Sequence, residues 1–259
     1  MGSELTRRGA DTSPPLWSAR AMRQAPEMVE AIHREYARAG ARVHRTNTFR
    51  TRRRSVGPDW ECLVESAVFR ARAGAGTGRV AGSLGPLEDC YRPDLSPPED
   101  VARAEHAELA RALVRAGVDL LVCETFPSVT EAHVAVEVCA ATGLEVWVSL
   151  TAGPSANLMT PEEMAAGARA CANAGASAVL VNCVAASLTM PYVEALAAIG
   201  VPFGAYANGS PWNEPPIDPQ AYVACARAWM SRGASILGCC CGTGPSFVRA
   251  LARLVTDGP

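Results

Sequence analysis

The chemically able residues of this sequence are its cysteines. Cys183 follows Asn182 at the end of one apolar run, and Cys240 and Cys241 stand at the end of another. Three thiolates brought to one face make a zinc site with a single open position, the arrangement of a metal that acts on a substrate and does not merely hold a fold. Zn2+ suits soft sulfur donors and has no redox chemistry of its own. A thiol bound to it is deprotonated yet still nucleophilic, so a substrate thiol is the group such a site would activate. Two adjacent cysteines reach one ion only where the backbone turns sharply, and Gly242 directly after them permits that turn. On its own the run Cys239–Cys241 is balanced between metal binding and plain burial, and Cys183 at a matching depth tips it toward metal. Cys62, Cys139, Cys171 and Cys225 fall inside helical patterns and read as small buried hydrophobes.

The rest of the composition narrows the class. All 24 basic residues are arginine, so there is no lysine to form a Schiff base or to serve a P-loop. With a net charge of −2 the chain lacks the basic excess of a nucleic-acid binder. Its 49% hydrophobic share is ordinary for a globular protein and argues against disorder. Ten cysteines could staple a short secreted domain, but this chain is long, and Met1 to Arg8 carry no apolar signal-peptide core. No stretch approaches the roughly 18 apolar residues of a membrane helix, so no membrane partner is expected. The expected setting is the cytoplasm, with reduced thiols.

The elements that must position the cysteines alternate along the chain. Strand-like runs cover Val43–Thr48, Arg79–Leu84, Asp119–Cys123, Glu145–Leu150, Ala178–Asn182, Pro202–Tyr206 and Ser235–Gly238. Helical periods lie near 26–39, 59–73, 99–116, 128–142, 161–174, 189–199, 218–232 and 245–255. This alternation implies parallel pairing and an α/β fold. Four times a helix ends at a glycine (Gly40, Gly117, Gly175, Gly233) and a strand follows. Those strands end at Thr46 and Asn47, at Cys123 and Glu124, at Asn182 and Cys183, and at Cys239 to Cys241. The polar residues thus share one depth, the C-terminal strand ends, which form the active-site face of a (β/α)8 TIM-type barrel of about 250 residues. A doubly wound sheet also places its site at strand ends, although no Gly-x-Gly-x-x-Gly follows a first strand. Residues 1–259 read as a single domain. Seven strands stand against eight helices, and the helix near 26–39 has no strand before it. Either the barrel closes irregularly or its first strand lies upstream of residue 1.

Taken together, Val181-Asn182-Cys183 and Gly238-Cys239-Cys240-Cys241-Gly242-Thr243-Gly244-Pro245 resemble the zinc signature of the homocysteine S-methyltransferase family. The family pattern Gly-Gly-Cys-Cys-Gly-Thr-x-Pro puts its cysteine pair on Cys240 and Cys241, with Cys239 where a glycine is usual. The resemblance implies Cys183, Cys240 and Cys241 as the zinc ligands and catalytic centre. It continues through Thr46-Asn47-Thr48-Phe49, Gly82-Ser83-Leu84-Gly85-Pro86, Glu124-Thr125-Phe126-Pro127-Ser128 and Gly204-Ala205-Tyr206-Ala207-Asn208-Gly209. By that similarity Glu124 holds the amino group of homocysteine, with Thr46 and Asn182 beside the substrate. Without the family, Glu124 reads equally well as an acidic residue favouring the start of the next helix. Met1-Gly2-Ser3-Glu4-Leu5 through Arg7-Arg8-Gly9 resembles a segment that in the family follows the first barrel strand and its Asp-Gly pair. The resemblance therefore implies an N-terminally incomplete barrel.

The implied reaction moves a methyl group from a small donor to the thiol of homocysteine, giving methionine. A sulfonium donor, S-methylmethionine or S-adenosylmethionine, is preferred because it carries its own leaving-group charge. The rival reading is a truncated or degenerate zinc-thiolate barrel without catalysis. The segment Glu88–Asp94 reads as a lid or a plain surface loop, and Arg50, Arg52, Arg53 and Arg54 read as a solvated loop.

Overall fold

The computed structural model describes residues 1–211, 214, 215 and 217–257. Helix α1 (Gly2–Arg7) and a 3-10 turn (Trp17–Arg20) lead through α2 (Ala21–Gln24) into α3 (Pro26–Arg38). There follow β1 (Val43–Arg45), α4 (Arg53–Val56), α5 (Trp60–Ala75), β2 (Arg79–Leu84), α6 (Glu99–Arg115) and β3 (Leu120–Phe126). Next come α7 (Val129–Ala140), β4 (Val146–Leu150), α8 (Pro161–Asn173), β5 (Ala178–Ala185) and α9 (Met190–Leu196). The chain closes with β6 (Phe203–Asn208), α10 (Pro219–Ser231), β7 (Ile236–Cys239) and α11 (Pro245–Asp257).

Local chemistry accounts for several of these boundaries. Thr160 caps α8 in a reciprocal box with Glu163, and Asp218 accepts from the backbone of Gln220 and Ala221 at the start of α10. The four glycines that end helices all take positive φ, from 83° at Gly117 to 115° at Gly175, where a Cβ would be strained.

All seven strands are parallel and pair in chain order, β1 through β7. A doubly wound sheet must reverse its strand order at a switch point, and this one never does, so the doubly wound reading is excluded. Right-handed crossovers in an unreversed order put every helix on the same face. Helices α3, α5, α6, α7, α8, α9, α10 and α11 pack each on the next, and α11 returns to α3. At that return a Cβ on Gly40 would stand 2.6 Å from the Cβ of Ala252. Eight helices thus form a closed ring, while the curled sheet inside has seven strands and, among the described residues, no ladder between β1 and β7.

The main core fills the space between ring and sheet. Trp60 and Trp229 are fully buried in it, and truncation of side chains of that size costs about 3–5 kcal/mol. Inside the curl, the two-residue period of the strands sorts the side chains by height. Val43, Ala81, Leu120, Val122 and Trp147 form a separate apolar floor. Continuing the same alternation upward reaches Arg45, Ser83, Glu124, Ser149, Asn182 and Tyr206, so the inner face changes from apolar to polar at the C-terminal ends.

Strands β3 and β5 run three residues past their expected ends because each carries a bulge. The register shifts between Cys123 and Phe126 in β3 and between Asn182 and Ala185 in β5. Thr125 and Cys183 sit in these bulges with φ of 65° and 55°, left-handed values unusual for residues with a Cβ. The arginine run after β1 is only in part a solvated loop: Arg53 and Arg54 are exposed but helical, while Arg52 is buried. Arg53 begins α4 and pairs with Glu108, Arg54 pairs with Glu88 and Glu105, and Arg52 is buried, which pulls its pKa down to about 9.

Candidate functional site

The bulge in β5 turns Cys183 toward the end of β7. There the β6–β7 pairing continues one residue beyond the strand, the amide of Cys240 donating to the Ala207 carbonyl at 2.9 Å. The amide of Cys241 donates to Asn208 Oδ1 at 3.1 Å, and Gly242 then reverses the chain with φ of 73°. Thr243 Oγ1 donates to the Cys240 carbonyl at 2.6 Å, closing the turn. As a result the three sulfurs of Cys183, Cys240 and Cys241 lie within 4.8 Å of one another, with Cys183 and Cys240 Sγ 2.8 Å apart. All ten cysteines are free thiols.

This donor set fits a soft divalent metal. It contains three sulfurs and no carboxylate or imidazole, and three protein ligands leave a tetrahedral ion one position for a substrate. Hydrogen bonds from Cys183 and Cys240 hold the Cys241 thiol well below its ordinary pKa. Hydrogen bonding to Cys240 and Cys241, together with burial, pushes Cys183 well above it. Cys239 lies on the opposite side of β7 by strand alternation. Its thiol meets Thr243 and Tyr222, and burial pushes it up to about 12.

Glu124 is buried in the polar layer beside the cluster. Ser83 Oγ donates to its Oε1 at 2.5 Å, Arg45 forms an ion pair with its Oε2, and the Tyr206 hydroxyl lies 3.3 Å from the same oxygen. Tyr206 donates to Ser149 Oγ at 2.7 Å, and Ser149 donates to Asn182 Oδ1. Asn182 Nδ2 in turn donates to Thr125 Oγ1 at 2.7 Å and approaches Cys183 Sγ at 3.4 Å. A continuous chain of polar contacts therefore links Glu124 to the sulfur of Cys183. The two bulges meet in it, since the Thr125 hydroxyl of one accepts from the residue that orients the cysteine of the other.

The residues singled out from sequence fall into two groups. Cys183, Cys240, Cys241, Glu124 and Asn182 converge. Thr46 lies one step away: its Oγ1 accepts from the Ser83 amide at 3.1 Å and pairs with Thr48 at 2.7 Å, stapling the end of β1 to β2. Asn182 spends its amide on three protein neighbours. The segment 88–94 lies near the thiols. Burial and then the Cys183 thiol raise the Tyr91 pKa, and burial pushes Cys90 up to about 12. Sequence reasoning gave no role to Arg45, Ser83 and Ser149. Strand parity was the available signal, because each shares the inward alternation of the apolar floor below it.

The model of the homocysteine S-methyltransferase family matches residues 1–255. A homocysteine S-methyltransferase of Escherichia coli is 28% identical over 97% of this chain and 92% of that protein. The S-methylmethionine–homocysteine S-methyltransferase BHMT2 of Mus musculus is 34% identical over 65% of this chain and 46% of that protein. The metallated crystal form of the homocysteine methyltransferase MmuM from Escherichia coli superposes with a TM-score of 0.83 at 27% identity. That match covers 98% of this chain and 93% of that one.

Proposed function

The chain belongs to the homocysteine S-methyltransferase family, and from that premise we propose that it transfers a methyl group from a sulfonium donor to the thiol of homocysteine, giving methionine. The observation that carries the reading is the convergence of three thiols at one strand-end site. Zn2+ is the ion these sulfurs suit, and when bound it keeps a substrate sulfur ionised yet nucleophilic at neutral pH.

The chain's own residues then bind and orient. Cys183, Cys240 and Cys241 hold the metal. Glu124 takes the ammonium of homocysteine, which fixes the direction in which its thiol points and removes the entropy cost of alignment from the reaction step. Asn182 holds Cys183 in place, and Thr46 shapes the wall beside Ser83. A sulfonium donor leaves as a neutral thioether, so no residue has to protonate the leaving group. S-methylmethionine is favoured as donor, since the mouse relative carries that substrate in its name.

The same reading makes residues 1–259 one domain of the (β/α)8 barrel type. The ring of helices around a curled parallel sheet supports this. Ten free thiols suit a reducing cytoplasm. No helix among the described residues is long and apolar enough to cross a membrane.

The test is metal content measured alongside methionine formation from homocysteine and S-methylmethionine, with Cys183→Ser as control. The expected result is about one zinc per chain and turnover, both lost in the variant, with activity falling more than about 100-fold. Zinc retained without turnover in the unaltered protein would overturn the reading in favour of a non-catalytic zinc-thiolate barrel.

A further inference from the structure

Arg45 is the last residue of β1 and faces inward, directly above the apolar floor. Its guanidinium has three fixed contacts: the ion pair with Glu124, the face of the Tyr206 ring at 4.5 Å, and the Cys239 carbonyl at 3.4 Å. The Arg45 side chain is 32% exposed and that of Glu124 is 7% exposed, so the cation lies toward the mouth and the carboxylate behind it. Burial alone would lower the pKa of Arg45, but the neighbouring carboxylate holds it well above its ordinary value, so its charge is permanent. The site thus offers a side-chain cation and a side-chain anion, already paired with each other, beside the three sulfurs.

We propose that Arg45 binds the α-carboxylate of the thiol substrate, so that Arg45 and Glu124 together select a zwitterionic amino acid. This rests on the reading of Glu124 as the ammonium partner. A free ammonium arriving at Glu124 has to displace the guanidinium and would leave it without a counter-charge in a half-buried site, which is costly. A carboxylate on the same molecule removes that cost by taking the fork of the guanidinium, whose planar pair of N–H groups matches two carboxylate oxygens. One internal ion pair is exchanged for two to the substrate. A thiol with only an amine strands Arg45, and a thiol with only a carboxylate strands Glu124.

The experiment compares kcat/KM for homocysteine and for 3-aminopropane-1-thiol, which has the same thiol and ammonium but no carboxylate. Both are measured with S-methylmethionine as donor, in the zinc-loaded unaltered protein and in Arg45→Met and Arg45→Lys. The unaltered protein is expected to favour homocysteine about 10- to 100-fold, the range for a hydrogen-bonded charge. Arg45→Met should bring the ratio near one, chiefly by raising KM for homocysteine while KM for the donor stays put. Arg45→Lys, which keeps the charge but loses the fork, should fall between them and guards against a folding defect in the methionine variant. An unchanged ratio in either active variant overturns the role of Arg45 and leaves the family-based reading standing. Failure of the unaltered protein to methylate either thiol overturns both.

Discussion

The two strand ends that supply the sulfurs are built in opposite ways. Strand β5 is buried at all eight positions, and Cys183 is 5% exposed. Its direction is set by a bulge and a left-handed residue, with Asn182 on its sulfur and Asn208 donating to its carbonyl at 3.0 Å. Strand β7 has four residues, is half-exposed throughout, and pairs among the described residues only with β6. Its cysteines run into a glycine turn held by Asn208 and Thr243. One of the proposed ligands therefore comes from a rigid interior strand and two from an outer one. A metal bridging them would act as a clamp on the weaker side, and Asn208, which bonds to both, is the protein's own version of that clamp.

Metal removal is the largest way to break this contrast. With metal at about 1,000 times its dissociation constant, binding stabilises the fold by about 4 kcal/mol. Chelation should remove that increment and raise hydrogen exchange at 236–241 far more than at 178–185. Equal deprotection of both strands would show that β7 is no looser than β5. A smaller effect is expected from Asn208→Ala, which leaves the Cys183 carbonyl and the Cys241 amide without partners. It should cost about 1–3 kcal/mol in urea unfolding and weaken metal binding about 10- to 100-fold. Smaller still is Thr243→Val, which removes one bond to the Cys240 carbonyl. About 1 kcal/mol should be lost, measured the same way; a larger loss than for Asn208→Ala would place the main support of the turn within β7 itself.

Much of this arrangement could be read before the structure was seen, because it depends on strand period and on glycine. Counting from Gly175 and Gly233 brings Cys183 and Cys240 to one depth, and Gly242 marks the turn that lets Cys241 join them. What escaped depends on conformations that residue type does not announce. Thr125 and Cys183 adopt positive φ without being glycine, so the bulges that extend β3 and β5 left no trace in composition. Arg45 was hidden for a different reason. A charged residue at the end of a short strand ordinarily points to solvent, and only its pairing register with Ala81 turns it inward. The short helices α1 and α4 span too few residues to show a helical period. The strand order, which separates a barrel from a doubly wound sheet, is a long-range property that no local pattern records.

The left-handed residues at 125 and 183 also bear on how this protein would respond to selection. Each holds about 1–3 kcal/mol of backbone strain that a glycine would not carry. A library screened only for survival of heating would therefore be drawn to glycine at both positions, discarding at one a sulfur of the three-thiol cluster and at the other the hydroxyl that steadies Asn182. Heat tolerance and site geometry compete for the same two codons, so a screen that rewards the first without checking the second would move away from the active molecule.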